Sequence, residues 1–448
     1  MAVRSARLFS FLVLMSLSLS VLIFSMENLG KNVRSKGYGD LIGSDVISWQ
    51  KKSTTSSRHV FTTASQAKTA SKSSSGMLNV VKKTMPPQTE TPIPIIYRKS
   101  FSKLPQWDFE DAYNQDTPPR LTTCAQSLRN SKDEAFQKAF LPNISLFLHK
   151  NRISMTEWNR LSHFNNPFGF MDYKYDDIMA SVKLIPKPKE PLLSPKPGSD
   201  GCVRCAVVAN GGILNGSKMG AEIDAHDYVF RMNAAVTKGY EEDVGNRTSV
   251  YVHTSHSMIA ALRFFQKYGY TAAPHDQNIK YVMIPEGMRD FQWLEGLLKG
   301  EQVSSGENRN RDPRTFYSGQ YNESRFYVLH QDFLRYVRNR FLPSKSLNDS
   351  FWAIFRPTNG AFTLFLALHT CDTVSAYGFM TEDYSEYSNY YVERDLKTKV
   401  TFFANHDYIL EKDLWKSLHN RKIIKLHQRS EKGKQRRKKM LLDTQKEH

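Results

Sequence analysis

The sequence predicts an α/β protein: a Rossmann-like central sheet flanked by helices, preceded by a signal-anchor helix and a disordered stem. Three observations carry this prediction. Short buried-type apolar runs recur at residues 203–209, 228–232, 249–253, 281–284, 326–329 and 374–379. Helical stretches at 331–342, 361–369 and 411–420 alternate with them, and such alternation marks a sheet with helices on both faces. A separate apolar stretch lies at the N-terminus and is followed by a long polar segment.

Residues 8–24 form an uncharged run of 17 residues broken only by serines. As a helix it spans about 25 Å, which suits a thin early-secretory membrane. Arg4 and Arg7 precede it, favouring a cytoplasmic N-terminus. A cleaved signal peptide is the alternative, but the run exceeds an ordinary h-region and no small-x-small site follows it. The expectation is a cytoplasmic tail over 1–7 and a type II signal anchor over 8–26. Residues 27–119 then read as a stem. From Lys51 to Ser75, 13 of 25 residues are Ser or Thr, so the segment buries too little apolar surface to offset its ordering entropy. Its hydroxyl content suits O-glycosylation, and Pro86, Pro87, Pro92 and Pro94 keep it extended.

The folded body is expected over 120–428. Hydrophobic residues make up 40% of the chain, with 27 Phe and 21 Tyr, enough for a substantial core. A net charge of +18 invites a nucleic-acid reading. Its distribution argues against one: residues 120–428 net only +6, and the excess lies in the N-terminal segments and the tail. No nucleic-acid partner is expected. The proline cluster Pro186, Pro188, Pro191, Pro195 and Pro197 reads as a loop leading into the core. Residues 429–448, including Lys434-Gln-Arg-Arg-Lys-Lys439, read as a solvated, disordered tail.

Four cysteines, Cys124, Cys202, Cys205 and Cys371, permit two disulfides in any of three connectivities. Cys202 and Cys205 also form a Cys-x-x-Cys that suits a redox or zinc half-site, but no second pair of Cys or His completes a zinc set. Five sequons, at Asn143, Asn215, Asn246, Asn322 and Asn348, fit exposure in a secretory lumen.

Four stretches carry chemistry. Cys205-Ala-Val-Val-Ala-Asn210-Gly-Gly-Ile-Leu-Asn-Gly216 runs a buried strand into glycines, where backbone N–H groups can approach a phosphate. It has neither the Gly-x-Gly-x-x-Gly spacing of a dinucleotide site nor a Walker lysine. Arg231-Met-Asn233 ends the next strand, and strand C-termini line the ligand crevice of such sheets. Arg356-Pro-Thr-Asn-Gly360 starts a helix whose N-cap is Thr358 or Asn359, leaving N–H groups for a carboxylate or phosphate. His406-Asp-Tyr-Ile-Leu-Glu411 supplies an imidazole suited to accepting a hydroxyl proton.

Taken together, the chain resembles the animal sialyltransferases, whose long, short, third and very short motifs occur in this order. The long one matches from Cys205 to about Tyr251, the short one over 356–379, and the very short one over 406–411. The resemblance covers about residues 120–428. Cys-Ala-Val-Val-x-Asn-Gly-Gly-Ile-Leu-Asn and Asp224-Ala-His-Asp-Tyr-Val-Phe-Arg are similar to the α-N-acetylgalactosaminide α-2,6-sialyltransferases. Gly287-Met-Arg-Asp-x-x-Trp-Leu-Glu295 and Phe333-Leu-Arg-Tyr point to the type 1 branch of that group.

The resemblance implies a GT-A-like variant of the fold and a CMP-sialic acid donor. It also implies mucin-type O-glycoprotein acceptors and anchorage in the Golgi membrane through residues 8–26, with the catalytic domain lumenal. Asn210 and Asn233 would contact the CMP portion, and Thr358, Asn359 and Gly360 the phosphate or carboxylate, with Gly378 and Tyr390 completing the donor site. His406 would be the general base, giving inversion at the anomeric carbon. Cys205 would pair with Cys371 and Cys124 with Cys202. Two residues depart from the pattern. Tyr390-Tyr391-Val392-Glu393 has tyrosine where the family has histidine, and a phenol cannot carry an imidazolium's charge. Asn359 stands where relatives usually have a hydroxyl. No Asp-x-Asp occurs, and a donor that leaves with one phosphate can be stabilised by N–H groups. Neither metal nor cofactor is expected.

Overall fold

The computed structural model describes residues 90–429 apart from 119, 395 and 397. The expected anchor at 8–26, residues 27–89 of the stem and residues 430–448 of the tail lie outside the described residues. No helix among the described residues is long and apolar enough to cross a membrane.

Seven strands form one sheet: β1 (Arg204–Val208), β2 (Tyr228–Met232), β3 (Val250–His253), β4 (Lys280–Met283), β5 (Phe326–Val328), β6 (Thr373–Tyr377) and β7 (Lys425–Leu426). Their order is β5-β4-β3-β2-β1-β6-β7, and every pair is parallel. In register, Cys205 lies between Tyr228 of β2 and Val374 of β6. The strands are mainly apolar because helices cover both faces, and β3 is buried at every residue. Each of the six expected strands is present with its ends moved by two residues or fewer. The seventh, β7, is too short to leave a periodic signal.

The longer helices are α1 (Tyr175–Val182), α2 (Ser255–Phe264), α3 (Met288–Lys299), α4 (Gln331–Phe341), α5 (Asn359–Thr370) and α6 (Tyr408–Asn420). Helix α5 is apolar on every side, and its residues 361–370 are all buried. It packs against β1, β2, β3 and β6, so it is a core helix and not a surface one. Cys371, just after α5, is bonded to Cys205 in β1, and Cys124 to Cys202. This is the pairing that the resemblance implied.

The structure corrects the boundary at 119/120. The described chain before it is packed, not stem-like. Ile93 N–H donates to Asn159 Oδ1 at 2.9 Å, and Trp107 Nε1 donates to the His163 carbonyl at 3.1 Å. Asp108, 1% exposed, is ion-paired with Arg338 of α4. The physical reason lies in α4, whose Arg335 and Arg338 are both fully buried and need acceptors that this segment supplies. At the other end, Arg429 docks on the loop after β1, donating to the Ile213 carbonyl at 3.0 Å and the Gly216 carbonyl at 2.9 Å.

Among the sequons, Asn246, Asn322 and Asn348 are exposed. Asn143 and Asn215 are half-buried, and their amide nitrogens donate to the carbonyls of Gln115 at 3.1 Å and Arg394 at 3.4 Å.

Candidate functional site

In a parallel sheet every strand delivers its following loop to the same edge. The strand order reverses between β1, which runs on to β2, and β6, which lies on its other side. Ligands bind such sheets in the crevice at this switch point. Here the switch is bridged by backbone: Ala209 N–H donates to the Tyr377 carbonyl at 2.8 Å and Gly211 N–H to the Gly378 carbonyl at 3.0 Å. Gly378 has φ +71°, and a Cβ there would lie 2.5 Å from the Ala209 oxygen. Only glycine permits that close approach.

The expected donor residues gather along this edge. Asn210 follows β1, and its amide donates to the Met232 carbonyl at 3.2 Å. Asn233 follows β2 in a left-handed conformation, φ +52°, which asparagine tolerates better than most residues. Asn359 Nδ2 donates to Asn233 Oδ1 at 2.8 Å, joining the β2 loop to the start of α5. Asn233→Ala is expected to cost about 1–2 kcal/mol because the left-handed backbone then strains a Cβ without the local amide. Asn233→Gly should cost less, and urea melts of the two variants read the difference; equal midpoints would refute the strain.

Thr358 is the N-cap of α5, its Oγ1 accepting from Ala361 N–H at 3.1 Å. The first-turn N–H groups of Asn359 and Gly360 have no partner within the helix. Thr358 is itself held by Glu411, which accepts from the Thr358 N–H at 2.7 Å and from its hydroxyl at 2.6 Å. Burial pushes the Glu411 carboxyl up to about 7.

His406 grips the same segment. Its Nδ1 lies 2.8 Å from the Arg356 carbonyl. A carbonyl only accepts, so Nδ1 carries the proton and Nε2 the lone pair. The Asn405 amide reaches Nε2 at 3.3 Å, a long contact. Burial, then the Arg356 charge, lowers His406 from 6.5 to about 4, so the ring is neutral at pH 7. The His-x4-Glu spacing thus has a structural meaning: both residues hold the short stretch from Arg356 to Thr358.

Tyr390 reaches the switch point by its backbone, through an antiparallel bridge with Gly211. Its ring meets Phe265 edge-on at 4.9 Å between centroids, and burial raises its hydroxyl's proton affinity. The structure therefore places Asn210, Asn233, Thr358, Asn359, Gly360, Gly378, Tyr390 and His406 along one edge.

Sequence reasoning missed a charged cluster beside His406. The Arg356 guanidinium pairs with both oxygens of Glu286, Nε to Oε1 at 2.9 Å and Nη2 to Oε2 at 3.0 Å. Arg289 approaches Glu286 at 3.4 Å. Burial pushes Glu286 up, but Arg356 and Arg289 outweigh it and hold the carboxyl below its ordinary value. One signal was present: Glu286 follows the predicted strand at 281–284, and a charge at a strand's C-terminal end faces the crevice. Among the described residues, no group of three or more His, Cys, Asp or Glu is arranged to hold a metal ion.

Comparison with known proteins bears on this edge. Residues 147–423 match the family model of glycosyltransferase family 29 (sialyltransferase). Alpha-N-acetylgalactosaminide alpha-2,6-sialyltransferase 1 of Gallus gallus is 43% identical over 74% of this chain and 59% of its own length. The Homo sapiens protein of that name is 44% identical over 75% and 57%. The chain thus spans under two thirds of the length of these relatives. Alpha-N-acetylgalactosaminide alpha-2,6-sialyltransferase 2 of Mus musculus is 39% identical over 77% of this chain and 91% of its own length. A solved structure, "Crystal Structure of a Mammalian Sialyltransferase", shares the fold at TM-score 0.51 and 22% identity, over 69% of this chain and 99% of that one.

Proposed function

Because the chain belongs to glycosyltransferase family 29, the sialyltransferases, we propose that it transfers sialic acid from CMP-sialic acid to the 6-hydroxyl of GalNAc O-linked to Ser or Thr of mucin-type glycoproteins. The observation that supports this most is the state of His406: a neutral ring whose Nδ1 proton is spent on the Arg356 carbonyl. Its Nε2 lone pair serves as general base beside the start of α5.

In this reading His406 takes the acceptor's hydroxyl proton as the oxygen attacks the anomeric carbon. The bond to CMP breaks on the opposite side, so configuration inverts. The departing phosphate's charge is met by the N–H groups of Asn359 and Gly360 and the amides of Asn210 and Asn233, and no metal takes part. The relatives' names, which specify α-N-acetylgalactosaminide and an α-2,6 linkage, support the acceptor. The proposed location is the Golgi membrane, with residues 8–26 as anchor and the site in the lumen.

The deciding experiment assays the full chain with CMP-sialic acid against GalNAc-Ser/Thr glycopeptides and galactose-terminated glycans, with linkage analysis and an EDTA arm. The expected product is sialic acid α-2,6-linked to GalNAc, formed equally with EDTA. Product on galactose alone would defeat the acceptor assignment, and loss of turnover with EDTA would defeat the metal-free mechanism.

A further inference from the structure

Arg356 links Glu286 to His406. Its side chain forms the two-pronged pair with Glu286, its carbonyl receives His406 Nδ1–H, and its N–H donates to the Asn405 carbonyl at 3.0 Å. Pro357 follows it, which restricts the Arg356 backbone to extended conformations. With the backbone so limited and the guanidinium fork pinned, the direction of the Arg356 carbonyl is set. That carbonyl decides which ring nitrogen of His406 carries the proton. Glu286 is 7% exposed, and its own N–H donates to the Ile284 carbonyl at 3.0 Å, so its backbone is held just past the end of β4.

We propose that Glu286 is a positioning residue for the base: through its paired contact with Arg356 it orients the carbonyl that holds His406 Nδ1–H, and so presents the Nε2 lone pair to the acceptor hydroxyl. This rests on the reading of His406 as the base. Glu286 touches neither donor nor acceptor in this role. It acts as the carboxylate of a relay in which a backbone carbonyl stands between the acid and the imidazole. A second cation, Arg289, approaches Glu286 Oε2 at 3.4 Å, the oxygen that also accepts from Arg356 Nη2, and is shared with Glu307 at 3.6 Å.

The test uses the full chain with 15N-labelled histidine, and His406→Ala assigns the His406 signals. The wild type is expected to show the Nδ1–H tautomer at pH 7. Glu286→Gln breaks the fork, because its amide nitrogen faces a guanidinium donor. It is expected to raise the Nε2–H population and lower kcat about 10–100-fold, with KM for CMP-sialic acid within about twofold of wild type. Glu286→Asp, which keeps the charge, should recover part of kcat. Unchanged tautomer signals in Glu286→Gln overturn the proposal, whether kcat falls or not. If Glu286→Gln does not bind CMP, Arg356→Lys is read in the same way, since it keeps the charge and loses the fork. Normal turnover by His406→Ala would defeat the base reading itself. An inactive His406→Ala beside an unaltered Glu286→Gln would defeat the positioning role alone.

Discussion

His406→Ala is expected to lower kcat for sialyl transfer about 10²–10⁴-fold, the usual range for removing a general base, while CMP binding by calorimetry stays within about twofold. Binding is spared because the donor contacts proposed here come from Asn210, Asn233 and the start of α5, not from the imidazole. The pH dependence sharpens this prediction. Burial and Arg356 bring His406 down to about 4, so the base is already unprotonated across pH 5–8. The acid limb of kcat owed to His406 should lie near 4 and not near the ordinary 6.5. Glu411, pushed up to about 7, titrates within the same window, so the profile is best taken in a Glu411→Gln background. A limb near 6.5 in that background would contradict the assigned environment of His406. The sign for stability follows from the same shift. As pH falls below 6.5 the unfolded chain takes up the proton first, so the contribution of His406 is full above that value and is lost as pH drops toward 4.

The second large effect lies far from the chemistry. Asp108→Ala is expected to cost about 3–5 kcal/mol of stability, because it leaves a fully buried guanidinium without its counter-charge. Arg338 is wholly inaccessible, stacked over Phe168 at 3.8 Å, and Asp108 is its ion-pair partner. Neighbouring contacts depend on the same turn: Arg335 donates to the Asp108 carbonyl at 2.9 Å and Asn339 to the same oxygen at 2.7 Å. Denaturant melts of Asp108→Ala and Asp108→Asn measure the loss. A shift within about 0.5 kcal/mol, the range of an ordinary surface substitution, would show that the pair is dispensable. The folded body should accordingly tolerate truncation at Glu90 far better than truncation at Leu121.

Much of the fold was legible because the information is local. A strand buried on both faces needs a mainly apolar run, and Tyr228–Met232, interrupted only by Arg231, and Val250–His253 are such runs. The start of α5 was legible because Thr358 can cap a helix wherever that helix is placed. The stem boundary was misplaced for the opposite reason. The segment from Glu90 to Pro118 is proline-bearing with scattered apolar residues, and its order comes from contacts more than 200 residues later: Phe101 and Leu104 pack with Trp352, and the buried Arg335 and Arg338 take its acceptors.

The candidate site divides in the same way. The sequence by itself determined the strand ends, the capped helix, the histidine and, through the resemblance, the pairing of Cys205 with Cys371. These depend on residue type at short spacing or on motifs in a known order. Only the tertiary structure decided that Asn233 and Asn359 share a hydrogen bond across 126 residues, that Glu286 pairs with Arg356 across 70, and which nitrogen of His406 keeps its proton. No local pattern encodes these contacts. They arise because parallel strands deliver distant loops to one edge, where burial forces each polar group to find a partner.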